Sequence, residues 1–394
     1  MDKSRRAFLG KSFAAIGAAA LAPSLLSSCT GGAEKPAAPA ADGKPNSVFN
    51  GVAIGTITYS WRSMPGGLEN IVKYCKETGI STIELMSGDL ESYMGIPANP
   101  MQRIMQEAMR NAQPAAPAAG GPGAGGPGAA PAGGPGAAPA GGRPGGPGAG
   151  GPGGAPAGGP GGPGGFRRPT FTPEQQAEID KYNEDVKVWR KNIDMDKVAA
   201  AKKYLDDNGI EAHIVKFSPG NWDDDQIDYA FKVAKAMGAK GVSDELNLES
   251  AKKMAPFAEK YGLKAIFHNH MQYAEDPNAC DPILAVSPAV ALNFDSGHFF
   301  GSTGRNPIEM IEKYHDRIVS LHIKDKTGPN TQPTPNQNQV WGQGEMPLAE
   351  VLNYIKEKKY PIYCDIELEY DVKPWSNAVK EVKTCVDYAR QILL

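Results

Sequence analysis

The chain has 394 residues, 22% of them charged, with a formal net charge of -3 and a sequence pI near 6.1. That balance supplies no basic footprint for nucleic acid, so a nucleic-acid partner is not expected. Glycine (47 residues) and proline (34) are abundant, and much of both lies in segments without the apolar bulk to build a core.

Residues 1–29 read as a targeting segment. Ser4-Arg5-Arg6-Ala7-Phe8-Leu9 matches the twin-arginine export signal, and an apolar run follows as far as Leu25. That run is shorter than the about 20 apolar residues a membrane span needs. Leu26-Ser27-Ser28-Cys29 resembles a lipobox. The expectation is a twin-arginine lipoprotein signal, export to the periplasm, and attachment to the cell envelope through a lipid on Cys29. Residues 30–47 then form a flexible tether, and 48–394 the folded domain. The domain is interrupted at 113–167, a Gly/Pro/Ala-rich stretch expected to be a disordered loop. Strict glycine at every third position fails there, which excludes collagen. The remaining cysteines, Cys75, Cys280, Cys364 and Cys385, show no CxxC spacing and read as buried apolar residues.

Strands and helices alternate through the rest. Val52–Thr58 is a predicted strand, Gly67–Thr78 a helix, and Ser81–Met86 the second strand. The low-complexity stretch falls in this second unit, which resumes as one long helix from Pro173 to Asp207. Strand 211–217 precedes helix 224–237, strand 240–244 precedes helix 248–261, and strand 263–268 leads to a weak helix near 282–286. Strand 290–294 precedes helix 307–314, strand 318–323 precedes helix 347–358, and strand 362–366 precedes helix 375–393. Eight βα units in this order predict an α/β fold, a (β/α)8 TIM barrel with an insertion in the second unit. A doubly wound sheet would carry a Gly-rich phosphate loop after its first strand, where this chain has Tyr59-Ser60-Trp61-Arg62.

Side chains at the C-terminal ends of barrel strands converge on one mouth. The polar residues there are Glu84, Lys216, Glu245, His268, His270, Asp295, His298, His322, Lys324, Glu367 and Glu369. Of six histidines in the chain, four stand at the ends of strands five, six and seven. Burying that many ionisable groups without a compensating ion would be costly, so a divalent metal is expected. A set of nitrogen and oxygen donors without sulfur suits manganese, zinc, cobalt or iron better than calcium. Tyr59, Trp61, Trp222 and Trp341 follow strands one, three and seven and are candidates for stacking on a sugar ring.

At these positions the chain resembles the sugar phosphate isomerase/epimerase group. These are xylose-isomerase-like barrels, whose superfamily also holds inosose dehydratases and apurinic endonucleases. The motifs carrying the resemblance are Phe267-His268-Asn269-His270, Asn293-Phe294-Asp295-Ser296-Gly297-His298 and Arg317-Ile318-Val319-Ser320-Leu321-His322-Ile323-Lys324-Asp325. Trp341-Gly342-Gln343-Gly344-Glu345 and Asp365-Ile366-Glu367 complete them. The resemblance implies a metal held by Asp295, His322 and Glu367, with His298 against substrate oxygen. Lys324 is placed to stabilise an enolate oxygen. Ketose epimerases carry a glutamate on strand five that is both ligand and base. This chain has none there, and His270 is the expected replacement ligand, with His268 and Glu245 as further candidates.

The expected catalytic residues are therefore Glu367, His298, Lys324 and Glu245. The expected activity is a metal-dependent isomerase or epimerase acting on an unphosphorylated sugar or polyol through an enediolate. Export favours unphosphorylated substrates, since sugar phosphates are largely cytoplasmic. A lyase or hydrolase of keto-glycosides and a non-catalytic sugar-binding lipoprotein are the alternatives.

Overall fold

The structure, a computed structural model, describes residues 43–112 and 171–394. The expected signal, the first part of the expected tether and the Gly/Pro/Ala stretch 113–167 lie outside the described residues. Ser47, the last residue read as tether, is buried and exchanges hydrogen bonds with Ser81.

The strands are β1 (Val52–Ile57), β2 (Thr82–Met86), β3 (Glu211–Lys216), β4 (Gly241–Glu245), β5 (Lys264–His268), β6 (Val290–Asp295), β7 (Ile318–Ile323) and β8 (Tyr363–Ile366). Each pairs in parallel with the next, and β8 pairs back onto β1 with Asp365 beside Gly55. Eight parallel strands thus close into a barrel with no free edge, the expected (β/α)8 architecture. The helices are α1 (Leu68–Thr78), α2 (Ser87–Met94), α3 (Met101–Ala112), α4 (Pro173–Lys191), α5 (Met195–Asp207), α6 (Asp224–Ala236), α7 (Leu248–Tyr261), α8 (Ser296–Thr303), α9 (Ile308–Tyr314), α10 (Leu348–Lys358) and α11 (Ala378–Leu393). Two helical turns, Gln272–Glu275 and Asp281–Leu284, follow β5.

Alternation along each strand separates two environments. Val242, Phe267, Leu292, Phe294, Leu321 and Ile366 join the main core beneath the helices, as do all four cysteines of the barrel. Ile214, Ile266 and Ala291 form a separate apolar cluster with Val319, inside the barrel. Ile266 and Ala291 lie two residues before His268 and Asn293 on the same strand faces, so the interior turns from apolar to polar towards the mouth. That change of chemistry places the site.

The long helix predicted over 173–207 is two helices. Asn192, Ile193 and Asp194 break it, and Asp194 caps α5 by accepting from the Asp196 N–H. Helix α4 is held to the barrel by one buried ion pair. Arg190 meets Glu91 of α2 through two contacts of 2.8 and 3.1 Å, donates to Gln226 Oε1, and lies 3.8 Å over the Trp222 ring. The pair is nearly buried, with side chains 11% and 4% exposed, so either charge left alone would be strongly destabilising. Arg190→Met is therefore expected to cost about 3–5 kcal/mol in urea unfolding, against a loss below about 1 kcal/mol if the contact were a solvated surface pair.

Candidate metal centre

Four strand ends supply the centre. Asp295 ends β6, His322 is the penultimate residue of β7, and Glu367 immediately follows β8. His268 ends β5. One ligand atom from each of these four buried residues lies within 4.8 Å of the others. The set is two imidazole nitrogens and two carboxylate oxygens, which fits a divalent transition metal.

The protonation states of His268 and Glu367 agree with that use. Burial, reinforced by the charge of His322, holds His268 well below the usual imidazole range and so neutral. Burial alone would raise Glu367, but Lys324 and His322 hold it well below the carboxylate range. Burial raises Asp295, against the pull of Lys324. His322 is gripped from both sides. Its Nε2 lies 2.6 Å from Glu84 Oε2 and its Nδ1 3.0 Å from Glu367 Oε2. The two carboxylates overcome burial and hold the imidazole well above its ordinary value.

Glu84 is the member that strand-end logic undervalued. It is fully buried on β2 and accepts from Ser243 Oγ at 2.6 Å and Asn293 Nδ2 at 2.7 Å as well as facing His322. A carboxylate behind one nitrogen of a ligating histidine fixes its ring and tautomer. The signal in the sequence was a lone glutamate inside an apolar strand, Thr82-Ile83-Glu84-Leu85-Met86.

Lys324 lies across the acidic side of the centre. Its Nζ is 2.8 Å from Asp295, 2.5 Å from Glu367 and 2.6 Å from Glu369. These carboxylates, led by Asp295, outweigh burial and hold the ammonium above its usual range. Gly297 makes room for it, since a Cβ there would stand 2.2 Å from Lys324 Cγ. His298 approaches the same group, with Nε2 3.6 Å from Asp295 and 3.7 Å from Glu369. Burial, then the charge of Lys324, pushes His298 down to about 2, so it is a neutral imidazole.

Two expected members stand outside this innermost set. His270 was the expected strand-five ligand, but β5 ends at His268 and the chain leaves the barrel wall there. His270 is instead half exposed, with Nε2 2.8 Å from Glu245. Its atoms gather with those of His268 and His298, not with Asp295, His322 and Glu367. Glu245, expected as a base or extra ligand, is occupied by His270 on one oxygen and by Lys216, at 2.8 Å, on the other. Lys216 and His270 overcome its burial and hold it well below the carboxylate range, while the hydrogen bond to Glu245 raises His270. The rim therefore carries an ionised glutamate with a readily protonated imidazole beside it.

Of the aromatic residues considered for sugar stacking, Trp61 and Trp341 are buried in the core and Trp222 lies under Arg190. Tyr59 is 36% exposed with Arg62 over its ring.

Residues 212–390 match the family of xylose isomerase-like TIM barrels. Every residue of the centre except Glu84 falls within this xylose isomerase-like segment. Among curated proteins, an inosose dehydratase of Clostridium botulinum is 27% identical over 146 residues, 32% of this chain and 49% of the relative. The chain spans about half the length of the first such relatives it matches. Among solved structures, a sugar phosphate isomerase/epimerase from Parabacteroides distasonis has a TM-score of 0.46 at 15% identity, covering 87% of this chain and 96% of that one. An IolI protein with a bound zinc atom has a TM-score of 0.47 at 14% identity, covering 87% and 98%.

The two strand-five histidines can be told apart by metal binding. In equilibrium dialysis with Mn²⁺ or Zn²⁺, His268→Ala is expected to lose at least about tenfold in affinity, the lower end of what ligand-shell changes cost. His270→Ala is expected to stay within about twofold of the unaltered protein, outside the innermost set.

Proposed function

We propose that the protein is a divalent-metal-dependent enzyme that removes the proton beside a carbonyl of an unphosphorylated sugar or polyol, passes through an enediolate, and expels a β-oxygen. The observation that carries this reading is the buried His268–Asp295–His322–Glu367 set with Lys324 against its carboxylates. Those four residues would hold manganese, zinc, cobalt or iron. Such an ion, when bound, supplies the Lewis acidity that makes the carbon beside a carbonyl acidic.

The chain's own groups then divide the work. Glu367, held ionised, accepts the proton at a carboxylate oxygen. Lys324 Nζ, fixed between Asp295, Glu367 and Glu369, sets a positive charge where the enediolate oxygen develops. Neutral His298 takes a hydroxyl of the substrate. On the other side of the mouth the catalytic group is an imidazole, His270, held above its ordinary range by the hydrogen bond to Glu245.

A base on one side and an acid on the other suit elimination. The C–H proton goes to Glu367 and a C=C bond forms. The β C–O bond breaks, and the leaving oxygen takes its proton from His270. Water or an alcohol is released according to what the oxygen carried, and solvent restores both groups. Epimerisation by a matched pair of carboxylates needs a second carboxylate at strand five, where this chain has His268. The names of the inosose dehydratase relatives, which state a loss of water, support the same direction. Return of the proton from Glu367 to the neighbouring carbon would make the same site an isomerase, the second reading, which the Lys324 contact to Glu367 equally serves.

The twin-arginine and lipobox pattern of residues 1–29 supports a place outside the cytoplasm, anchored through Cys29, and hence substrates without phosphate.

The test is solvent exchange. Inososes, ketoses and 3-keto-glycosides are incubated with the Mn²⁺-loaded protein in D₂O and followed by NMR for deuterium uptake and for unsaturated product. Glu367→Gln is expected to slow uptake by about 10²–10⁴-fold, the usual worth of a positioned base. Equal uptake in both proteins would show that Glu367 is not the base.

A further inference from the structure

Lys326 stands two residues beyond Lys324, in the two-residue strand Asp325–Lys326 that pairs with Asn338–Gln339. Its backbone is fixed, for the carbonyl accepts from the N–H groups of Glu345 and Met346. The residue is 3% exposed. Lys216 and His270 have Glu245 within 4 Å, Lys324 has three carboxylates, and His322 has Glu84 and Glu367. Among the described residues, Lys326 Nζ has no hydrogen-bond or ion-pair partner. An ammonium on so little exposed a residue, with no carboxylate in contact, is left under-compensated.

The position is built to hold it. Helix α8 presents Gly301 one turn after His298, and a Cβ on Gly301 would stand 2.6 Å from Lys326 Cε and 2.2 Å from Asn336 Oδ1. Only a glycine lets the lysine stem and the asparagine amide lie against this helix. Asn336 is itself held at φ 50°, a left-handed conformation that asparagine tolerates better than most residues. Its Oδ1 and that of Asn338, the strand partner of Lys326, are buried and accept no hydrogen bond. The charge of Lys326 bears on His298, and burial and the charge of Lys324 lower Lys326 against the pull of Asp295, Glu369 and Glu367, so the hairpin overlooks the reaction centre.

One unmatched ammonium and two unmatched carbonyl acceptors on one hairpin call for a ligand with a carboxylate and hydroxyl groups. We infer that the loop after β7 forms a subsite for a sugar acid, with Lys326 Nζ receiving the substrate carboxylate and Asn336 and Asn338 receiving its hydroxyls. This rests on the reading of the barrel mouth as a sugar site, and narrows its substrate class to uronates and related polyhydroxy acids.

Binding tests it without any turnover. Calorimetric titration of the metal-loaded full chain with D-glucuronate and D-galacturonate is compared with D-glucose and D-galactose. At least one uronate is expected to bind about tenfold or more tightly than its neutral counterpart, the yield of one charge-assisted hydrogen bond. Lys326→Met is expected to erase the preference and Lys326→Arg to keep most of it. Equal affinity for acid and neutral sugar, no binding of either uronate, or a preference that survives in Lys326→Met would overturn the assignment. A preserved uronate preference with no deuterium uptake from any keto substrate would leave the subsite standing and remove the proposed reaction instead.

Discussion

Glu84, Asp295 and Glu367 are carboxylates buried inside one barrel, and the requirement to balance them organises everything near them. A buried carboxylate without a partner would take up a proton or unfold the site. Here His322 is shared by Glu84 and Glu367, and Lys324 by Asp295, Glu367 and Glu369. Each cation therefore touches acids from different strands. Closing the barrel and balancing the charge are the same event, because no two of β2, β6, β7 and β8 can move apart without stranding one of these groups. A divalent ion held by His268, Asp295, His322 and Glu367 would add positive charge where the acids are densest, and Lys324 has Glu369 at the rim as a further partner.

The polar interior does not stop at this centre. Further in, His213 bridges Thr82 Oγ1 at 2.8 Å and Asp365 Oδ2 at 2.9 Å and stacks on Tyr363 with ring centres 4.0 Å apart. Gly55 gives Asp365 its space, for a Cβ would lie 2.1 Å from Oδ1. This inner array ties β2, β3 and β8 together by direct hydrogen bonds, with Asp365 Oδ1 left buried and unmatched.

The eight strands were legible because each carries a clear alternation or apolar run; their ends offered Asp295, His322 and Glu367 among eleven polar residues, and the family resemblance singled these three out. Helices α2 and α8 were not legible. Ser87-Gly88-Asp89 and Ser296-Gly297-His298-Phe299-Phe300-Gly301 contain glycines that weaken a helical pattern, and α8 forms because Asp295 caps it by accepting from the His298 N–H at 2.7 Å. Alternation also could not separate His268 from His270, since both fall on one face if the strand continues. The strand ends at His268, and only the backbone shows it. Glu84 stood among the strand-end residues, but its partners were not legible: a register shift between Ile83 and Glu84 sets its side chain against residues on β4, β6 and β7 that sequence order does not connect. Lys326 was passed over because its meaning lies in missing partners, which no sequence displays.

The most direct test of this account is the position of a bound ion. Anomalous diffraction from crystals of the protein grown with Mn²⁺ should show one strong peak coordinated by His268, Asp295, His322 and Glu367, with Glu84 behind the His322 ring. A peak coordinated instead by His268, His270 and His298, with Lys324 still seated between Asp295 and Glu367, would contradict it.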